Sequence, residues 1–351
     1  MNTADLPLRI KTWAQAHIWA VGGCALFFCL ALAGYALWRR PQVPLAEDSL
    51  ITAPPAGEVE MEKIPVLSEN EWLRAGVPDT SENKISVKIQ AADAYDGLLI
   101  MVNASQPLPD GFVPANLVNI SETVQAMRIP NVSSTKNTMT VRQEIMGDLA
   151  RMLSDAAQQD LGWFYIVSAY RDKAYQEVLY NRKVSAYALG GMSQEQAETA
   201  AKTVVVYPGT SEHQTGLTLD ICDNTASLTH RYADTEQGQW LARSAWKYGF
   251  ILRYPEDKRD VTGIIFEPWH IRFVGQPHAE IMARSNWVLE EYIQTLRSTG
   301  GIRARTENGK VWQISYYDAA RGAVQVPRDK PWQMSGDGQG GVIVTVEGAE
   351  P

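Results

Sequence analysis

Cysteine and histidine are scarce in this sequence, and basic residues are not in excess. Two of the three cysteines, Cys24 and Cys29, lie in one apolar run, so Cys222 is the only cysteine elsewhere and a disulfide scaffold is excluded. The 32 Lys and Arg residues are outnumbered by 40 Asp and Glu residues, giving a net charge of −8. This balance argues against nucleic acid as a partner, because such a partner requires a basic face.

Long hydrophobic runs are also rare, and the clearest one covers residues 18–38. This segment has no charged residue and is long enough, at about 1.5 Å per helical residue, to cross a bilayer. It predicts a transmembrane anchor at 18–38 after a cytoplasmic tail at 1–17. A cleaved signal peptide is the alternative, because Ala31-Leu32-Ala33 is a possible cleavage site. Both interpretations place the rest of the chain at the membrane or beyond it.

The remainder of the chain divides by composition into three parts. Residues 39–84 are rich in proline and acidic side chains and lack periodicity, which predicts an extended spacer. Residues 85–298 mix helical and strand patterns without a regular βαβ order, which predicts an α+β domain. Residues 299–351 alternate apolar and polar side chains between glycine turns. They predict a small β-rich appendage with no chemistry of its own.

Some element boundaries follow from local patterns. Thr140 and Gln143 form the pattern of a capping box, which predicts that a helix opens there. Further along, the sequence predicts a short strand at 263–266 and a single amphipathic helix at 279–296.

Two polar clusters contain the residue types of a metal site. His213 and Asp220 are separated by Gly216, which allows a sharp turn into a strand, and Glu267 lies three residues before His270. Two imidazoles and a carboxylate suffice for a three-ligand zinc site with an open position, and a second carboxylate can serve as the base. From spacing alone, the alternative of satisfied core residues stays open. Cys222 is predicted on the same strand face as Asp220, where an inert buried thiol is the simpler interpretation.

Together these motifs resemble the signature of the VanY-type D-alanyl-D-alanine carboxypeptidases and the LdcB-like zinc peptidases. The resemblance spans about residues 98–296. The matching elements are Ser211-x-His213-x-x-Gly216-x-x-x-Asp220, Glu267-Pro-Trp-His270, Ser168-Ala-Tyr170-Arg171 with Gln176, and residues 98–103 followed by Pro107-Leu-Pro109. The resemblance implies the hedgehog/DD-peptidase fold with a central antiparallel sheet.

It also implies the roles of particular residues. Zn²⁺ is the implied cofactor, with His213, Asp220 and His270 as its ligands. Glu267 is implied as the catalytic base, and Arg171 as the group that binds the substrate carbonyl or carboxylate. Peptidoglycan stem peptides are the implied substrates, contacted by Ser211, Gln176, Tyr170 and Ser168.

The expected reaction is therefore hydrolytic removal of a terminal D-alanine outside a bacterial cell, by an enzyme anchored in the membrane. An L,D-carboxypeptidase acting on tetrapeptide stems and a non-catalytic, zinc-containing wall-binding module are the alternatives. A hydrolase built on Cys222 is a third. His230 and His278 lie outside the motifs and are expected at the surface or behind the ligands. The sequence carries no indication of oligomeric state.

Overall fold

The structure, a computed structural model, describes residues 71–76, 83–225 and 227–348. The predicted tail, the predicted anchor at 18–38 and most of the predicted spacer lie outside these residues. Within the described ranges, no helix is both long enough and apolar enough to cross a membrane.

Strands and helices alternate irregularly along the chain, and the predicted α+β class is confirmed. The strands of the described residues are β1 (Leu73–Ala75), β2 (Lys84–Lys88), β3 (Leu117–Asn119), β4 (Val132–Ser134), β5 (Thr140–Arg142), β6 (Phe164–Ser168), β7 (Thr218–Cys222), β8 (Phe250–Leu252), β9 (His270–Phe273), β10 (Gly301–Arg305), β11 (Val311–Asp318), β12 (Ala323–Pro327), β13 (Trp332–Gly336) and β14 (Gly341–Glu347). The helices are α1 (Ile120–Met127), α2 (Met146–Gln158), α3 (Lys173–Leu189), α4 (Gln194–Lys202), α5 (Glu236–Ser244), α6 (Arg259–Thr262), α7 (His278–Ser285) and α8 (Leu289–Thr299).

A central five-stranded sheet has the order β4-β6-β7-β9-β8. Its neighbouring strands are antiparallel except for β4 and β6, which are parallel. One face of this sheet packs against α2, whose apolar residues Leu149, Leu153 and Ala156 are buried. Each large apolar side chain buried in this way stabilises the fold by about 1.5–3 kcal/mol. The sheet thereby becomes a rigid base for the polar side chains that β7 and β9 carry.

A second five-stranded sheet has the order β1-β10-β11-β14-β13 and is antiparallel throughout. Successive side chains of β14 point to opposite faces of this sheet. Ile343 packs with the helices α7 and α8, whereas Val342 and Val344 pack with β12 and residues next to β2. Both faces of the second sheet are therefore covered by apolar side chains.

The predicted spacer and appendage differ from the structure at their boundaries. Strand β1 lies inside the predicted spacer and pairs with β10, with Leu73 opposite Ala304. Strand β2 begins at Lys84 and pairs with β12. Residues 299–351 do form strands, as predicted. However, their sheets also include β1 and β2, which precede residue 89 in the sequence. A three-residue strand is too short for its periodicity to be recognised.

Three predicted elements are also different. Thr140 does not cap a helix: residues 140–142 form β5, where buried Val141 pairs with β3, and α2 begins only at Met146. The predicted strand at 263–266 is an irregular segment. The predicted helix at 279–296 is two helices, because Asn286 adopts a left-handed conformation with φ of 53° and ends α7.

Candidate active site

One tight turn positions the first two candidate ligands. Residues 212–215 form a one-turn 3-10 helix that carries His213, and Gly216 ends it with φ of +69°. The left-handed conformation favours glycine, and a Cβ at Gly216 would also press against the side chains of Arg142 and Leu117 at 3.1 Å. The chain then enters β7, and Asp220 is the third residue of that strand.

Sheet pairing brings the third candidate ligand to the same place. His270 is the first residue of β9 and lies directly opposite Asp220 in the antiparallel register of β7 and β9. The loop before it contains Glu267, whose backbone carbonyl accepts a hydrogen bond from the amide of His270. Residues that are 50 positions apart in sequence therefore meet because two strands are adjacent.

His213, Asp220 and His270 form a buried group whose candidate ligand atoms all lie within 4.8 Å of one another. Asp220 Oδ2 is 3.2 Å from His213 Nε2, and Asp220 Oδ1 is 3.2 Å from His270 Nδ1. Asp220 Oδ1 is nevertheless buried without a hydrogen-bond partner. A buried carboxylate that faces two imidazole nitrogens and has one unsatisfied oxygen fits a metal ion, because a cation would be coordinated by all three side chains.

The orientation of His213 is set by the main chain. Its Nδ1 donates a hydrogen bond of 2.6 Å to the carbonyl oxygen of Ala169. Because this bond places the proton on Nδ1, the lone pair of Nε2 faces Asp220 and is available to a metal.

His270 is backed by a buried carboxylate. Its Nε2 lies 3.7 Å from Oε2 of Glu212, while its Nδ1 faces the metal group. Glu212 is itself held by Arg253 and Arg272, whose nitrogens donate to Oε1 at 2.8 and 2.9 Å. The two guanidinium groups hold the pKa of Glu212 well below its ordinary range, against the opposing effect of burial. Arg253 is also paired with Glu290 of α8.

Glu267 lies at the edge of the metal group and has an unusual environment for a carboxylate. Its Oε2 is 3.4 Å from His270 Nδ1. Burial raises the pKa of Glu267 to about 7, and Asp220 acts in the same direction, whereas His270 and Arg171 lower it. A carboxylate with a pKa near neutrality suits a group that must accept and then return a proton.

These residues lie in a cavity of about 740 Å³. Arg171 also lines it, with a buried Nε that has no hydrogen-bond partner and a charge that faces Asp220 and Glu267. Ser211 and Gln176 line it too, and Gln176 donates to the carbonyl of Val206 while its buried Oε1 has no partner.

Two of the predicted substrate contacts are placed elsewhere. Ser168 pairs with Asp220 across β6 and β7, and Tyr170 is hydrogen-bonded through its amide to Thr140, but neither residue lines the cavity. Both occupy the strand end that delivers Arg171, which indicates a role in placing that arginine.

The remaining candidates are separate from the metal group. Cys222 is buried and free, its sulfur lies near the carbonyls of Tyr165 and Asp223, and burial raises the pKa of its thiol to about 11. It therefore does not fit a nucleophile or a ligand. His230 is exposed, as expected, and stacks on Trp269 at the cavity.

His278, in contrast, is fully inside the protein, so the surface expectation is wrong for it. Its Nδ1 is 2.7 Å from the hydroxyl of Tyr292, and its Nε2 is 3.3 Å from the hydroxyl of Thr345. It joins α7 and α8 to the second sheet and has no contact with the metal group.

Sequence reasoning missed the buried charge network behind His270. Glu212 stands inside the first polar cluster and was available as a signal, since a carboxylate beside a ligand histidine is a common orienting group. Arg253 and Arg272 gave no signal, because each lies in or next to an apolar strand where a buried arginine is unexpected.

Comparison with known proteins agrees with this geometry. The family model described as VanY, D-alanyl-D-alanine carboxypeptidase, matches residues 138–276. A D-alanyl-D-alanine carboxypeptidase of Enterococcus faecium is 37% identical over 268 residues, which cover 76% of this chain and 80% of that protein. This chain belongs to the VanY family.

Other VanY-related proteins extend the comparison. A second D-alanyl-D-alanine carboxypeptidase, from Enterococcus faecalis, is 32% identical over 215 residues, covering 61% of this chain and 72% of that protein. Among solved structures, the vancomycin-resistance D,D-dipeptidase VanXYg in complex with a D-Ala-D-Ala phosphinate analog superposes with a TM-score of 0.63 at 25% identity. The match covers 76% of this chain and all of that one. The hedgehog/DD-peptidase fold implied by the motifs is in keeping with this likeness.

Proposed function

We propose that this VanY-family chain is a zinc-dependent D-alanyl-D-alanine carboxypeptidase that removes the terminal D-alanine from peptidoglycan stem peptides. The observation that carries the proposal is the convergence of His213, Asp220 and His270 on one buried point, with Glu267 and Arg171 beside it. The names of the relatives support the substrate class.

The donor set fits zinc, because two neutral imidazoles and one carboxylate leave an open position in a tetrahedral site. Zinc held there would lower the pKa of a bound water and polarise the scissile carbonyl. Glu267 accepts a proton from the attacking water and returns it to the leaving amine as the peptide C–N bond breaks. Arg171 donates hydrogen bonds to the substrate carbonyl or carboxylate and stabilises negative charge on oxygen.

Retention of Glu267 favours an enzyme over a zinc-containing binding module, since a binding module has no need of a proton acceptor. Burial raises the pKa of Glu267, and a carboxylate that binds a proton more readily than usual suits a group that accepts a proton and then returns it.

The decisive experiment compares wild type with Glu267→Gln on a pentapeptide and a tetrapeptide stem, by mass spectrometry with and without a chelator. We expect wild type to release D-alanine from the pentapeptide, the chelator to abolish release, and the variant to be slower by about 10²–10⁴-fold with zinc retained. Release by the variant at the wild-type rate would contradict the mechanism. Cleavage of the tetrapeptide alone would replace the D,D-specific activity by the L,D-specific one.

We also propose that residues 18–38 anchor the chain in a bacterial cell membrane, with the catalytic domain on the extracytoplasmic side. The uncharged length of the segment supports the proposal. Membrane fractionation of the full chain and of a variant with two Leu→Arg changes at Leu26 and Leu32 tests it. We expect the wild-type chain to stay in the membrane pellet after alkaline washing. The variant chain should instead appear in the soluble fraction. A shortened mature chain would instead indicate signal cleavage.

A further inference from the structure

The cavity that contains the metal group extends well beyond it, along one face of α3. The helix residues that line it are Gln176, Leu179, Arg182, Lys183 and Ala186. Their spacing of three, three, one and three positions is that of a single helical face. Residues 203–206 and the segment at 264–265 also line the cavity. The metal group and this face of α3 therefore line one continuous cavity, which we call the cleft.

Charge is distributed unevenly along this cleft. The carboxylates that line it are Glu212, Asp220 and Glu267, all in or beside the metal group. The part lined by the later turns of α3 contains two cations, Arg182 and Lys183, among apolar residues. In a protein with a net charge of −8, a cation pair without a lining carboxylate is a local exception.

The two cations are available to a ligand. Arg182 is exposed and, within the described part of the chain, has no carboxylate within ion-pair distance; the ammonium group of Lys183 lies 5.0 Å from the ring of Tyr187. In the same cavity, Gln176 is 2% exposed and its buried Oε1 has no hydrogen-bond partner among the described residues, so this oxygen can accept a hydrogen bond from a bound peptide.

The dimensions of the cleft match a peptide. At about 1.5 Å per residue, Arg182 lies roughly 9 Å along α3 from Gln176. An extended peptide advances about 3.3–3.6 Å per residue, so this distance corresponds to two or three residues. A stem pentapeptide whose terminal residue lies beside Gln176 and whose chain follows α3 would therefore bring its second or third residue to Arg182 and Lys183.

We infer that Arg182 and Lys183 form a subsite for a free carboxylate on the second or third residue of the stem peptide, and that they select stems carrying it. This inference rests on the proposed function, because it assumes that the scissile bond lies at the metal group. The carboxylate has two sources: the side chain of diaminopimelate at the third position, or the glutamyl residue at the second. Lysine at the third position would be disfavoured by like charge.

The test measures kcat/KM for four pentapeptides: a parent with a third-position diaminopimelate and a second-position glutamate, and analogues with lysine, with amidated diaminopimelate, or with second-position isoglutamine. We expect wild type to prefer the parent by about three- to tenfold over the analogue that lacks the recognised carboxylate, and to lose this preference in high salt. A lower kcat/KM for the analogues with lysine and with amidated diaminopimelate identifies the third residue as the source of the carboxylate; a lower kcat/KM for the isoglutamine analogue identifies the second.

The variant Arg182→Gln/Lys183→Gln should lose the preference through a higher KM for the parent with kcat unchanged. The matched control is Arg151→Gln/Lys247→Gln, which removes the same two charges from positions that do not line the cleft. It should keep the wild-type preference. An unchanged preference in the cleft variant, or an equal loss in the control, would overturn the inference.

Failure of the proposed function is distinguishable from failure of this subsite. If wild type released no D-alanine from any peptide, the proposed reaction would fail. In that case, the subsite is tested by binding. The dissociation constants of the same four peptides are measured for Glu267→Gln, with and without the two cleft substitutions. Equal affinity for all four peptides would overturn it, whatever the reaction is.

Discussion

Each of the two five-stranded sheets of the described residues has a buried aspartate at or beside it, and the oxygens of Asp220 and Asp337 are satisfied differently. Next to the central sheet, Asp220 Oδ1 and Arg171 Nε are buried without hydrogen-bond partners, and both residues line the cavity. In the turn between β13 and β14 of the second sheet, buried Asp337 accepts hydrogen bonds from two backbone amides and from the hydroxyl of Tyr316. An unsatisfied carboxylate oxygen at the wall of a cavity is available to a ligand, whereas a carboxylate with satisfied oxygens stabilises the fold.

The largest expected effect comes from removing the charge of one buried aspartate in each region. Asp220→Asn should lose stoichiometric zinc and reduce D-alanine release to the level of chelated wild type, because a required anionic ligand is gone. Asp337→Asn should bind zinc normally and retain kcat, while losing about 1–3 kcal/mol of stability. Metal analysis, activity assays and urea unfolding check both variants. If the Asp337→Asn variant folded but lost zinc, the distinction between a metal-binding Asp220 and a fold-stabilising Asp337 would be contradicted.

Substitution of Glu212 should reduce both zinc affinity and the stability of the fold. Glu212→Gln weakens the group behind His270 and leaves Arg253 and Arg272 without full compensation. We expect zinc affinity to fall by about 10–100-fold and stability by about 3–5 kcal/mol. Competition with a chelating dye and urea unfolding measure these two quantities.

The control for Glu212 is Glu290→Gln, which removes the other partner of Arg253 without touching His270. It should destabilise the protein while changing zinc affinity much less. Equal zinc affinity in wild type and Glu212→Gln would show that Glu212 is structural only.

His278 should make the second region sensitive to acid. Burial lowers its pKa from 6.5 to about 3, so between these values the unfolded chain binds a proton that the folded chain does not. Stability contributed by neutral His278 is therefore complete above about pH 6.5 and falls as the pH decreases, by about 1.4 kcal/mol per pH unit.

Unfolding by urea at pH 7 and pH 5.5 checks this slope. His278→Gln has no group to titrate there, so the difference in stability between wild type and variant should shrink at pH 5.5 by about 1 kcal/mol. If the difference in stability between wild type and His278→Gln were the same at both pH values, the lowered pKa of His278 would be contradicted.

The smallest effects should come from removing one methylene from each sheet. Ile343→Val in the second sheet and Ile271→Val in the central sheet should each cost about 0.5–1.5 kcal/mol. Both side chains are fully buried. Ile271 is flanked by His270 and Arg272, so its variant should also reduce kcat, whereas Ile343→Val should leave kcat unchanged. Parallel unfolding and kinetic measurements separate the two, and an equal effect on kcat would contradict the distinction.

Much of the central site was predictable because its determinants are local. His213 and Asp220 are joined by one glycine turn, and Glu267 and His270 are three residues apart, so each pair was recognisable as a short motif. Ser168 and Tyr170 show the limit of that approach. They belong to a recognisable motif, but the direction of the chain at the end of β6 carries only Arg171 into the cavity.

What the sequence by itself determined is the set of chemical groups and the local turns that present them, because glycine conformations and side-chain alternation act over a few residues. Only the tertiary structure decided which distant partners meet. It paired β1 and β2 with strands more than 200 residues later, surrounded Glu212 with two arginines, and placed Arg182 and Lys183 along the cleft. The physical reason is that periodicity specifies which face of an element is apolar, whereas strand pairing and packing select the neighbour that covers it.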